Sequence, residues 1–248
     1  MSELVHLAVA DAVATITLDS PHNRNALSRQ LVTELFGHLQ AAAADDAVRV
    51  VLIASSGKVF CSGADLSEAT ADGMEEGAKR IVELQRLIVA MDKPVVVRAY
   101  GAVRAGGIGI VAASDIAVAN DSATFALTEV KLGLAAAIIS LTVHHKMSPR
   151  AAALTTLGGE IFSGADAAAY GLVTLTVPDD EIDERVTEVC RSLASGAPQG
   201  LRESKKILNA DLLERIDARG AEMAALSARL FASDEAREAM SAFLARKK

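Results

Sequence analysis

The sequence predicts an α/β fold in which repeated strand–turn–helix units are followed by a helical C-terminal region. Three observations lead there. Short, strongly apolar runs at 48–54 and 95–100 each run toward a glycine-bearing turn. Segments with helical spacing of apolar residues, around 31–39 and 81–91, stand between such runs. From Pro178 onward the chain is mostly amphipathic and rich in Glu, Arg and Ala, a helical composition. Strand-bearing units first and helices accumulating at the end describe an α/β domain with added helices.

Val13–Leu18 alternates like a strand with one buried face, and Asp19–Asn23, with Pro21 inside it, ends that strand in a turn. Ser28 is placed to cap a helix whose Leu31, Leu35 and Leu39 fall on one stripe. Val48–Ala54 is apolar enough to be covered on both faces. Glu75–Met91 reads as a helix with Ile81, Leu84, Leu87, Ile88 and Met91 inward, stopped by Lys93-Pro94. Val95–Tyr100 is the next strand, Ile108–Ala113 a short buried helix, Asp115–Ala119 a returning strand and Ala123–Leu127 a short extended segment. Beyond Glu129 the pattern turns helical. Ser148-Pro149 supplies an N-cap with Pro at the first helical position, and Ser163 caps a helix that Gly171 closes. There is no internal repeat, and the expected division is a core over 1–190 and a helical region over 191–248.

The 248 residues carry a net charge of −7, with 51% hydrophobic and only 3% aromatic residues and no Trp. Ala, Val, Leu and Ile must build the core. An acidic chain without stacking aromatics lacks both the basic footprint and the platforms that nucleic-acid binding needs. The longest apolar runs, around 132–143 and 105–113, are too short to span a bilayer, and no basic segment followed by an apolar stretch opens the chain. Cys61 and Cys190 are the only cysteines and form no disulfide or metal framework; a cytoplasmic protein with two reduced thiols is expected. No metal site is expected either. His144 and His145 are adjacent and diverge on a helix.

Two stretches carry the chemistry: Val59-Phe60-Cys61-Ser62-Gly63-Ala64-Asp65-Leu66 and Ala105-Gly106-Gly107-Ile108-Gly109. Each reads as a strand ending in a tight turn that opens a helix, where backbone N–H groups have no intrahelical partner. Two such turns can hold one carbonyl oxygen between two donors, as an oxyanion hole does. Glycines kept for close helix–strand packing are the plainer reading of the second stretch alone. Neither phosphate-loop nor dinucleotide spacing is present. Ser62 and Ser140 lack the nucleophile elbow of a serine hydrolase, and no His is placed to activate Cys61. Glu129 follows the apolar segment 125–127 and precedes Val130, Leu132 and Leu134. A carboxyl in such surroundings has a raised pKa and exchanges protons near neutrality; a Glu favoured at a helix start is the alternative.

Together the two stretches resemble the enoyl-CoA hydratase/isomerase (crotonase) family, over nearly the whole chain. The resemblance implies a right-handed spiral of ββα units with a C-terminal helical region that mediates trimer formation, giving a homotrimer or a dimer of trimers. It implies Ala64 and Gly106 as N–H donors to the oxygen of an acyl-CoA thioester, and Glu129 as the acid/base. It further implies Ala26, Ser62, Ala64 and Leu66 as coenzyme A contacts, with Phe243 and Arg246 closing over the adenosine of a neighbouring subunit. Coenzyme A is part of the substrate, so no separate cofactor is implied. Many hydratases of the family carry a second Glu where this chain has Gly109. The stretch Glu129–Leu134 followed by Ile138-Ile139-Ser140 is similar to hydratases of short or branched enoyl-CoAs, so an enoyl-CoA hydratase is expected first. An isomerase using Glu129 as sole proton shuttle and a non-catalytic acyl-CoA-binding protein are the alternatives. Arg104, beside the glycines, is either a surface charge or a contact for coenzyme A phosphates.

Overall fold

A computed structural model describes residues 2–68 and 71–245, with backbone only at 71–74 and 243–245. Strands β1 (Val5–Ala10) and β2 (Val13–Leu18) form an antiparallel hairpin. Its two turn residues, Asp11 and Ala12, both have positive φ, the tight turn whose twist matches the flanking strands. Helix α1 (Arg29–Ala44) follows, capped by the Ser28 hydroxyl, which accepts from the Leu31 N–H.

Three units then repeat one plan. The first is β3 (Val50–Ser55), β4 (Val59–Cys61) and α2 (Ala71–Ala90). The second is β5 (Val95–Ala99), β6 (Ala102–Arg104) and α3 (Gly106–Ala113). The third is β7 (Ile116–Asn120), β8 (Thr124–Ala126), a 3-10 turn at Glu129–Leu132 and α4 (Ala137–Lys146). Helix α5 (Pro149–Gly158), strand β9 (Phe162–Ser163), helix α6 (Gly164–Tyr170) and strand β10 (Leu175–Val177) lead into α7 (Ile182–Ala194), α8 (Pro198–Phe231) and α9 (Asp234–Ala245).

The first strand of every unit enters a six-stranded sheet, ordered β1-β2-β3-β5-β7-β10. The second enters a four-stranded sheet, ordered β4-β6-β8-β9. Within both sheets the units pair in parallel and in the same sequence, so the chain winds as a spiral and each turn stacks on the last. The ββα spiral implied by the family resemblance is present.

Burial explains why β3, β5 and β7 read as continuous apolar runs. Val51, Ile53, Val95, Val97, Ala117 and Ala119 face the main core, while Val50, Val96 and Val118 pack under Ile182, Val186 and Cys190 of α7. A parallel sheet covered on both faces needs that composition. The short second strands are joined to the first by sharp corners. At Gly101, with φ +71°, a Cβ would fall 2.1 Å from the Lys58 carbonyl oxygen, so only glycine fits that crossing.

Four elements were not expected from the sequence: β1, β6, β9 and β10. Helix α2 begins at Ala71, ahead of the expected Glu75. The division drawn between 190 and 191 falls inside α7. Helix α8 returns along α2, close enough that a Cβ at Gly220 would lie 2.8 Å from Val82 Cγ1. Among the described residues no helix is long and apolar enough to cross a membrane.

Candidate active site

The loop before α1 is laced to the end of β4 by main-chain and side-chain hydrogen bonds. The Asn25 amide donates to the Val59 carbonyl, and the Ser62 N–H donates to the Arg24 carbonyl. The Ser62 hydroxyl donates to the Asn23 carbonyl, and the Leu27 N–H to the Gly63 carbonyl at 2.8 Å. The Asn23 amide reaches Asp65. Arg24 and Asn25 both have positive φ, and Asn25 is buried with its side chain also accepting the Ser20 N–H. This lacing brings Ala26 to the segment holding Ser62, Ala64 and Leu66, some forty residues further along the sequence.

The two glycine turns touch. Gly63 has φ +95°, and a Cβ there would lie 3.0 Å from the Ala105 methyl. Gly106 lies against Leu27, whose Cδ1 would be 2.7 Å from an added Cβ, and Gly107 lies against Cys61. Gly106 opens α3, whose N-cap residue Ala105 has no side chain to satisfy the first-turn donors. Among the described residues neither the Ala64 nor the Gly106 N–H is engaged by another group. Ala105 itself sits at φ 45°, ψ −118°. Only glycine occupies that region without strain, and an alanine held there costs about 1–3 kcal/mol. Nothing in the identity of an alanine announces this.

Glu129 begins the 3-10 turn after β8. Its Oε2 is buried with no hydrogen-bond partner among the described residues. Burial pushes the carboxyl up from 4.5 to about 7, against the opposing pull of its own N–H. Among the described residues no ion pair offsets this: the neighbouring Lys131 turns outward to Glu160 at 2.8 Å. A carboxyl poised at neutrality can both take and return a proton. At Gly109 the space is already filled. An added Cβ would meet Ile139 Cγ2 at 2.5 Å, and Gln85 Oε1 at 3.3 Å. Ile139 therefore stands where a second carboxylate would have to emerge, a detail the sequence alone did not reveal.

A cleft of about 370 Å³ opens beside Ala64. Leu27, Val32, Ile81, Ile138 and Phe231 give it apolar walls, and Arg29, Asp65, Glu68, Glu76 and Arg80 supply the charged groups. Gly106 and Glu129 are not part of its wall; Leu27 is the side chain shared between cleft and Gly106 turn. Such a volume suits a small-molecule site. Arg246 and the side chain of Phe243 lie outside the described residues. The Cys61 thiol is fully buried, and burial pushes it up to about 12, which makes it inert. His144 and His145 lie exposed in the last turn of α4, and no group of side chains able to hold a metal occurs among the described residues. Arg104 donates to the Val103 and Thr124 carbonyls and to the Thr124 hydroxyl.

The model of the family described as Enoyl-CoA hydratase/isomerase matches residues 8–248. A crystal structure of an enoyl-CoA hydratase from Mycobacterium avium is similar, with TM-score 0.92 and 46% identity, covering 99% of this chain and 98% of that one. The 2,3-dehydroadipyl-CoA hydratase of Escherichia coli K12 is 28% identical over 246 residues, 98% of this chain and 96% of its own. The mitochondrial enoyl-CoA hydratase domain-containing protein 3 of Rattus norvegicus is 33% identical over 190 residues, 75% of this chain and 63% of its own.

Proposed function

The chain belongs to the enoyl-CoA hydratase/isomerase family, and from that premise we propose that it is an enoyl-CoA hydratase with Glu129 as its acid/base. The carrying observation is the lone buried carboxyl of Glu129, poised near neutrality in a site with no second acid at Gly109. The thioester oxygen of a 2-enoyl-CoA accepts from the Ala64 and Gly106 N–H groups. Water adds its oxygen to the β-carbon and yields a proton to ionised Glu129. The electron pair of the double bond moves toward the thioester oxygen, where two fixed donors stabilise the developing charge. Glu129 then returns its proton to the α-carbon, and the product is a 3-hydroxyacyl-CoA. Coenzyme A runs over Ala26, Ser62, Ala64 and Leu66, the positions the family resemblance implies, beside the cleft that opens at Ala64. The hydratase names of relatives support the reaction type.

A second reading has its own observation. Ile139 closes the Gly109 position, and a single carboxyl suffices to move a proton from one carbon to another. That describes an enoyl-CoA isomerase. Exposed Leu154, Leu157 and Ile161, near the turn bearing Glu129, support assembly into a homotrimer or a dimer of trimers. A panel of 2-enoyl- and 3-enoyl-CoA thioesters, with products resolved by mass, tests the function. The expected result is a product 18 mass units heavier from 2-enoyl-CoA; migration of the double bond without mass gain selects the isomerase. Binding without either change overturns both readings.

A further inference from the structure

We propose that Arg104 is a positioning residue of the reaction, acting as a clamp on the end of β6 that keeps Ala105 strained and so aims the Gly106 N–H. The proposal rests on Gly106 being a donor to the thioester, as argued above. A half-buried guanidinium ordinarily meets a carboxylate. Among the described residues Arg104 has none, and its donors go to the main chain instead. Nη1 donates to the Val103 carbonyl at 3.0 Å and the Thr124 carbonyl at 2.6 Å, and Nη2 donates to the Thr124 hydroxyl at 3.0 Å. The side chain thus runs back along its own strand and binds the neighbouring one.

That strand pairing is short. β6 and β8 are in register over three residues, ending at Arg104 opposite Ala126, and one further bond runs from the Ala105 N–H to the Ala126 carbonyl at 3.2 Å. The next peptide bears the Gly106 N–H. Ala105, at φ 45°, gains by leaving its present angle unless its surroundings forbid it. Two things forbid it. Its methyl abuts the Gly63 turn, and the guanidinium holds the preceding residue against β8. Removing the guanidinium frees one side of this constraint. The peptide between Ala105 and Gly106 then rotates, and the donor no longer points at the shared oxygen.

A double-mutant cycle of Arg104→Met and Ala105→Gly tests this, since glycine holds the positive φ without a clamp. With Ala at 105, Arg104→Met is expected to lower kcat by about tenfold or more, short of the ~10²–10³ of full donor loss, with KM nearly unchanged. With Gly at 105, the same substitution is expected to lower kcat no more than about twofold. An equal loss of kcat in both backgrounds overturns the clamp. So does a rise in KM that fades with added salt while kcat holds, the sign of a phosphate contact. Thermal unfolding gives a reading that needs no turnover. Ala105→Gly should raise Tm more in the wild type than in Arg104→Met, because only the clamped chain carries the strain. Equal increments overturn the clamp, whereas a wild type inert on every enoyl-CoA but with the unequal increments overturns the functional reading alone.

Discussion

Glu129→Gln is expected to lower turnover of the best enoyl-CoA by about 10²–10⁴-fold, the usual worth of general acid–base assistance, while acyl-CoA affinity stays within a few-fold. The amide is nearly isosteric but cannot carry the proton. The same substitution is expected to stabilise the protein at alkaline pH. In the fold the carboxyl keeps its proton up to about pH 7, against 4.5 for the free group. The folded state therefore binds more protons than the unfolded chain between those values, and stability falls as pH rises through them. Its contribution is complete below about pH 4.5 and lost above about 7, a change of roughly 3 kcal/mol. Urea unfolding at pH 5 and pH 8 should show this slope in the wild type and a smaller one in Glu129→Gln. A variant that keeps the wild-type rate, or the full slope, contradicts the assignment.

Lys205→Met is expected to be the most destabilising single change. Lys205 is 4% exposed and pairs with Asp115 at 2.8 Å. Its ammonium also donates to the carbonyls of Ile88, near the end of α2, and Lys93, in the link to β5. Asp115 in turn accepts from the Val95 N–H and the Asn209 amide. One ion pair thus ties α8 to α2 and to the starts of β5 and β7. Methionine keeps the length of the side chain but leaves the Asp115 carboxylate without its counter-charge and takes a donor from two carbonyls. Removing one partner of a buried pair costs about 3–5 kcal/mol. At roughly 2–4 °C per kcal/mol for a chain of this size, Tm should drop by about 10 °C. The other end of α8 supplies Phe231 to the cleft, so loosening the helix should also weaken acyl-CoA binding. A Tm within 2 °C of the wild type would show that the pair carries little of this load.

Much of the architecture is written in local patterns. The run Val48–Ala54 needs apolar residues on both faces because α7 covers one and the core the other. Ser28, Ser163 and Gly171 mark helix ends through bonds to near neighbours: Ser163 forms a reciprocal cap with Asp166, and Gly171 takes the left-handed angle. The four-stranded sheet was harder to foresee. Its strands β4, β6 and β8 are three residues each, and their partners lie tens of residues away. At the site, Glu129 could be singled out because apolar neighbours follow and precede it in sequence. The loss of room at Gly109 could not, because Ile139 arrives from another helix. Nor could the strain at Ala105, which is imposed by tertiary contacts on a residue with no preference for that angle.

The seat for the thioester oxygen is tested most directly by the carbonyl stretch of a bound, unreactive ligand. Butanoyl-CoA labelled with ¹³C at the thioester carbon has no double bond to hydrate, and isotope-edited difference infrared spectroscopy isolates that one band. Two preorganised N–H donors polarise a carbonyl more strongly than mobile water does. The predicted result is a band shifted to lower wavenumber on binding to the wild type, with the shift reduced in Arg104→Met and retained in Glu129→Gln. A band at or above its position in water, from ligand shown to be bound, would contradict a seat formed by Ala64 and Gly106.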